Sequence, residues 1–193
     1  MHSPPTSLEV CAGAGGTALG IANAGFHHVA LVEIDDHAVA TLRYNRSEWN
    51  VVKEDLTVFD GMPYRGIDLL SGGVPCPPFS VAGKQLGADD DRDLFPQMLR
   101  LAEEIRPRAV MIENVPGLLS TAFDGYRDNL DAEFRRLGFE PNWRLFKSSD
   151  FGVSQLRPRV VMVAIRKDLA GQFKWPEPNE THRSRSANCS RTR

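Results

Sequence analysis

Short apolar runs alternate with amphipathic stretches along this chain. Leu8 to Cys11 predicts a strand, followed by a glycine-rich turn and a helix from about Gly16 to Ala24. His28 to Ile34 predicts a second strand, and Asp36 to Asn45 a helix with Asp35 or Asp36 as its N-cap. Val51-Val52 and Ile67 to Ser71 read as two further strands. From Asp93 to Ile105, Leu94, Met98, Leu101 and Ile105 fall on one helical face; Pro96 sits in the tolerant first turn and Pro107 stops the run. Ala109 to Ile112 is a buried strand by its unbroken apolar character. Tyr126 to Leu137 is a helix that Gly138 ends, and Trp143 to Phe146 and Val160 to Ile165 are the last strands. Strands and helices in this alternation predict an α/β fold, a mostly parallel sheet with helices on both faces. Such sheets bind ligands at the carboxyl ends of their strands, so chemistry is sought just after each strand.

Composition adds limits. With 193 residues, 41% hydrophobic and 25% charged, the chain suits one ordinary globular domain. The pattern places one folded domain over 1–178. The stretch 179–193, rich in Arg, Ser, Asn and Thr, reads as a disordered tail. No apolar run reaches the roughly 18 residues that cross a bilayer, and Met1 to Thr6 has no signal-peptide core, so a cytoplasmic location is expected. The three cysteines, Cys11, Cys76 and Cys189, are odd in number and have no CxxC spacing, which predicts neither a disulfide framework nor a metal site. A formal net charge of −2 places much of any DNA-binding surface outside this chain.

Gly13, Gly15 and Gly16 follow the first strand and let the backbone turn tightly beneath a ligand. Glu33 ends the second strand, where a carboxylate can hold a ribose diol; Asp55 follows the third and could hold a base edge. This set fits a nucleoside-containing cofactor. The loop alone leaves NAD and S-adenosylmethionine both open, because Gly13 to Ala18 also fits G-x-G-x-x-A with an acidic residue about 20 positions on.

The loop from Gly72 to Ser80 carries Cys76 between prolines. A free cysteine is commonly a small buried hydrophobe, but a loop rich in Gly and Pro belongs at the surface, which favours a nucleophile. Glu113 closes an apolar strand, and Arg157 and Arg159 precede the last one.

Five blocks in order resemble the cytosine-5 DNA methyltransferase family, covering Leu8 to about Pro178. They are Leu8-Glu-Val-Cys-Ala-Gly-Ala-Gly-Gly16, Val32-Glu-Ile-Asp35, Pro75-Cys-Pro-Pro-Phe-Ser80, Glu113-Asn-Val-Pro-Gly117 and Gln155-Leu-Arg-Pro-Arg159. The resemblance implies a Rossmann-like S-adenosylmethionine-dependent fold and methyl transfer to C5 of cytosine in duplex DNA, as in restriction-modification. The cofactor would meet Cys11, Ala12, Gly13, Gly15, Gly16, Glu33, Ile34, Asp55, Leu56 and Pro75. Ser80, Asn114 and Val115 would contact substrate.

Cytosine C5 is a poor nucleophile. A Cys76 thiolate adding to C6 would make C5 enamine-like, dividing one hard step into easier ones. Glu113, held in a buried setting, would share a proton with N3. Arg157 and Arg159 would hydrogen-bond the cytosine carbonyl or the backbone phosphate and steady Cys76 and Glu113, with Arg157 implied as the more direct catalytic contact. The target base must flip out of the duplex, and Ser80 to Arg92 would close over it.

Two departures stand out. Cys11 occupies a position where family members commonly stack an aromatic on adenine. The family's target-recognition region and final helix have no counterpart here, which implies a split enzyme with a second polypeptide, a truncated remnant, or a fragment. A tRNA cytosine-5 methyltransferase and a catalytically silent module that binds cofactor or a partner stay open beside the DNA enzyme. Pro75-Cys76 with Glu113 and the arginine pair argues against an NAD-dependent oxidoreductase.

Overall fold

A computed structural model describes residues 3–75 and 93–178. Seven strands form one sheet: β1 (Thr6–Val10), β2 (His27–Glu33), β3 (Val51–Lys53), β4 (Leu69–Gly72), β5 (Ala109–Asn114), β6 (Phe139–Lys147) and β7 (Pro158–Arg166). Their spatial order is β3-β2-β1-β4-β5-β7-β6. The first five pair in parallel, and β7 runs antiparallel to both β5 and β6. The expected mostly parallel α/β sheet is thus present. The order reverses between β1 and β4, the switch point where loops from the two halves part and leave a crevice.

Helices α1 (Gly16–Asn23), α2 (Asp36–Asn45), α3 (Phe95–Ile105) and α4 (Asp124–Arg136) cover the sheet from two sides. Alternation along β1 sets the split. Leu8 and Val10 point into the larger core, with Leu70, Val110, Ile112 and Met162 from the sheet, Met98, Leu101 and Ile105 from α3, and Leu130 and Phe134 from α4. Leu31 points the other way and packs with Ala18 of α1 and Val39 and Leu42 of α2.

Boundaries move for identifiable reasons. The helix expected from Asp93 begins at Phe95, because the Asp93 side chain leaves the helix to accept the Phe95 N–H at 3.0 Å and the Tyr126 hydroxyl at 2.7 Å. β5 runs two residues beyond Ile112 because Glu113 and Asn114 pair with Val161 and Val160. β6 is longer than Trp143 to Phe146, since all nine of its residues pair with β7. Pro141 is tolerated within it because β6 is an edge strand. Asp35 is the N-cap of α2, accepting the Ala38 N–H at 2.8 Å. Among the described residues no helix is long and apolar enough to cross a membrane.

Candidate active site

The carboxyl ends of β1, β2, β4 and β5 lie along one edge, since Val10 pairs with both Val32 and Gly72, and Gly72 with Ile112. The antiparallel direction of β7 brings its first residues to the same edge, where Val160 pairs with Asn114.

At the end of β1, Cys11 and Gly13 both adopt left-handed backbone, with φ of 52° and 54°. For Cys11 this is strain in a non-glycine residue, a condition that concentrates at functional sites. Gly15, also left-handed, is the N-cap of α1. Above Gly13 and Gly16 nothing among the described residues lies within 4 Å of where a Cβ would stand. Ala12 is buried in the smaller core and meets a ligand only through its backbone.

Glu33 shapes this loop from β2. It accepts the Gly13 N–H at 2.7 Å through one oxygen, and the Ile34 and Asp35 N–H groups at 2.8 and 2.9 Å through the other. A carboxylate so held is pre-oriented, and spare lone pairs remain for a diol. Ile34 is 58% exposed beside it. Asp55 is exposed, and the Thr57 backbone N–H, then its hydroxyl, hold its carboxyl below the ordinary range. The Leu56 side chain is buried in the larger core and its carbonyl accepts Arg100 Nη2 at 2.8 Å.

Cys11 is half-buried, and its thiol is pushed up to about 12, first by burial and then by the charges of Glu33, Asp55 and Glu9. Glu33 ends β2 and Asp55 follows β3 on the edge where β1 ends, and Glu9 lies two residues before Cys11 on β1. An open loop with exposed backbone, a preset diol acceptor and an acidic surround fit a nucleoside cofactor that carries positive charge. S-adenosylmethionine meets that description, and NAD, with its pyrophosphate, does not.

On the other side of the switch point, Glu113 is bracketed by arginines. Arg159 Nε lies 2.7 Å from Glu113 Oε1, and Arg157 Nη2 lies 3.9 Å from the same oxygen. The Glu113 side chain keeps 31% of its exposure, so it is half-buried rather than enclosed as expected. The closer arginine is Arg159, not Arg157, which stays half exposed. Gly73, at the start of the loop that leads to Cys76, passes Glu113 so closely that a Cβ there would stand 3.6 Å from Glu113 Oε2. Asn114 is buried; its Nδ2 donates to the Val74 carbonyl at 3.0 Å and its Oδ1 accepts the Val115 N–H at 2.7 Å, tying the loops after β4 and β5 together. Pro75 and Val115 are exposed at this edge. Cys76, Ser80 and the rest of 76–92 lie outside the described residues, as do Cys189 and 179–193.

Sequence reasoning missed Glu9 and His28. Glu9, 1% exposed in the middle of β1, accepts the Ala18 N–H, while its Oε2 has no partner. His28 joins the Ala18 carbonyl at 2.8 Å through Nε2 and Ser7 Oγ at 2.9 Å through Nδ1. Both residues grip the first turn of α1 from the sheet. The legible signal was a charged residue inside an apolar strand, Leu8-Glu9-Val10.

The family model for C-5 cytosine-specific DNA methylase matches residues 6–191. The Type II methyltransferase M.NgoMIV of Neisseria gonorrhoeae is 59% identical over 174 residues, 90% of this chain and 56% of that protein. M.NaeI of Lentzea aerocolonigenes is 51% identical over 174 residues, 89% of this chain and 42% of the relative. This chain thus spans about half the length of these relatives. Among solved structures, one described as a DNA modification methyltransferase encoded within a prophage (E. coli) superposes with a TM-score of 0.77 at 28% identity, covering 91% of this chain and 51% of that one. A variant of Spodoptera frugiperda DNMT2 shares the fold, with a TM-score of 0.72 at 24% identity over 89% of this chain and 53% of that one. With the glycine loop, the Glu33 acceptor and the Glu113–arginine cluster on one sheet edge, and the family model matching nearly the whole length, this chain belongs to the C-5 cytosine-specific DNA methylase family.

Proposed function

We propose that this chain carries the catalytic and cofactor-binding half of a DNA cytosine-5 methyltransferase. The observation that carries the reading is the placement of the Glu33-held glycine loop and the Glu113–Arg159–Arg157 cluster on one edge, on either side of the switch point. S-adenosylmethionine, when bound, supplies the methyl group. Glu33 binds its ribose and the loop from Cys11 to Gly16 receives its amino-acid end. The Cys76 thiolate adds to C6 of a flipped cytosine, forming a C–S bond; the base's electron pair moves toward C5 and N3, and Glu113 holds the proton shared with N3. Arg159 orients Glu113, and Arg157 is free to reach the base carbonyl or a phosphate. After methylation C5 gives its proton to solvent, the freed electron pair re-forms the C5–C6 double bond, and the C–S bond breaks with its pair on sulfur, which restores the thiolate.

The same reading assigns part of the assembly to further polypeptide. On the face that holds α1 and α2, Leu69, Ala109 and Ile165 lie opposite one another on β4, β5 and β7, and line a hollow of about 290 Å³ with Phe26, Leu169 and Phe173. Parallel sheets are ordinarily covered on both faces. A second polypeptide or a continuation of this one, carrying target recognition, suits that face and the roughly doubled length of the relatives.

Tritiated methyl transfer from S-adenosylmethionine to unmethylated duplex DNA tests the reading, with Cys76→Ala as control. Label on cytosine C5 that vanishes in Cys76→Ala supports it. If the chain alone is silent, the matching experiment adds, as a separate chain, the part of the Neisseria gonorrhoeae relative outside the matched segment. Silence of that mixture, or transfer to tRNA but not DNA, overturns the reading.

A further inference from the structure

The Glu9 carboxylate is a costly feature that the chemistry above leaves unused. It sits at the centre of β1 under α1, 1% exposed, with Oε2 sealed and unpartnered. Buried carboxylates are ordinarily paired. Among the described residues no cation pairs with this one. α1 (Gly16–Asn23) contains no charged residue, and across the sheet, in register with Glu9, stand Leu31 of β2 and Ser71 of β4. The nearby titratable groups are His28, held between Ser7 and the Ala18 carbonyl, and Cys11, with Glu33 and Asp55 beyond it.

Three carboxylates stand by the end of β1 where the glycine loop opens: Glu9 two residues before Cys11 and beneath the first turn of α1, Glu33 at the end of β2 holding the Gly13 N–H, and Asp55 just after β3. They differ in how they are satisfied. Glu33 accepts three N–H groups, and Asp55 accepts an N–H and a hydroxyl from Thr57. Glu9 accepts only the Ala18 N–H. Its charge is therefore in reserve, and a cation arriving over the loop would draw it out.

We propose that Glu9 is a positioning residue that reads cofactor charge, losing its proton to solvent when cationic S-adenosylmethionine binds and so favouring the sulfonium over its neutral sulfide product. The inference rests on S-adenosylmethionine being the ligand of this loop. The proton balance is simple. The Glu9 O–H bond breaks, the proton passes to buffer, and the carboxylate then faces a cation that compensates its burial. The product, S-adenosylhomocysteine, lacks the sulfonium charge and draws on Glu9 less. Burial, which pushes the Glu9 carboxyl up to about 8, keeps the free protein protonated across the neutral range where this exchange would be read.

Isothermal titration of the full chain with each ligand separates the outcomes. The window is about pH 6 to 7.5, below the range of about 7.7–8.0 where a cofactor α-amino group titrates. Two buffers of different ionisation enthalpy count protons. Wild type should bind S-adenosylmethionine more tightly as pH rises, by up to about tenfold per pH step of one, with release approaching one proton. Glu9→Gln should abolish that slope and reduce the preference for sulfonium over sulfide several-fold. A slope that survives Glu9→Gln assigns the proton elsewhere, His28 included, and overturns the proposal. So does wild-type binding without proton release, a result that decides the matter even if Glu9→Gln fails to fold. Absence of any binding overturns both this proposal and the cofactor reading beneath it, which sets that failure apart.

Discussion

Arg159 Nε stands 2.7 Å from Glu113 Oε1 because β7 runs against β5. A parallel β7 would have carried Arg159 to the far edge of the sheet. The reversal makes two distant sequence blocks into one charge cluster beside the loop that leads to Cys76.

This pairing separates two roles. Glu113→Gln should slow methyl transfer by about 10²–10⁴-fold, the range for a positioned acid–base group. Arg159→Ala should cost less, about tenfold to a hundredfold, because Arg157 still approaches the same oxygen at 3.9 Å. Neither should change cofactor affinity, since neither borders the glycine loop. Single-turnover transfer and cofactor titration check this together. Full activity in Arg159→Ala would remove Arg159 from the machinery.

Much of this site was legible beforehand, for a physical reason. Glycine, carboxylate and arginine positions follow strands, and strand ends in a parallel sheet share an edge, so one-dimensional order predicts proximity. Glu33 met Gly13, and Asn114 met the loop after β4 at Val74, on that ground. What stayed hidden depends on partners distant in sequence. That Arg159 lies closer to Glu113 than Arg157 does follows from the register of β7 on β5. That Leu56 is core follows from Arg100 of α3 reaching its carbonyl. The start of α3 was misplaced because Asp93 prefers Tyr126, a residue on another helix. Glu9 stands out as a charge inside an apolar strand, but nothing in Leu8-Glu9-Val10 says that α1 will seal it.

Cys11 should be inert to alkylation. Its thiol lies near 12, against an ordinary value of about 8.5, so its thiolate fraction at pH 8 is smaller by roughly three orders of magnitude. Native protein treated with iodoacetamide at that pH, then digested and weighed by mass spectrometry, should show Cys11 unmodified, and denatured protein should show it labelled. Labelling at the rate of a free thiol in the native state would mean that the thiol is not buried beside these carboxylates as described.

Glu9 also leaves a signature on stability. Its carboxyl moves from 4.5 in the unfolded chain to about 8 in the folded one, because burial penalises the charge. The folded state thus holds a proton that the unfolded state releases. The associated stability is fully present below about pH 4.5 and is lost as pH rises toward 8. Each tenfold difference in proton affinity between the two states is worth about 1.4 kcal/mol, so the loss amounts to a few kcal/mol. Urea unfolding should give a wild-type stability that declines from pH 5 to 8, and a Glu9→Gln protein whose profile is flatter and higher at the alkaline end. Parallel profiles would show that Glu9 ionises freely.

Gly13 and Gly15 lie two residues apart in the same loop, yet alanine should harm them differently. Gly15 has φ of 89°, and a Cβ there would stand 2.6 Å from Leu42 Cδ2 in the closed core under α2. Leu42 is 1% exposed and has no room to retreat. Left-handed strain of about 1–2 kcal/mol and overpacking of about 1–3 kcal/mol should together lower the stability of Gly15→Ala by about 2–4 kcal/mol. Gly13 has φ of 54° and nothing within 4 Å of its would-be Cβ. Gly13→Ala should therefore suffer only the strain, while its methyl group intrudes on the space above the loop and weakens S-adenosylmethionine binding by tenfold or more, on the order of 1.4 kcal/mol. Urea unfolding and cofactor titration on both variants separate the two effects. If Gly13→Ala binds the cofactor as wild type does, the cofactor does not lie over this loop, because no other neighbour could absorb the added methyl group.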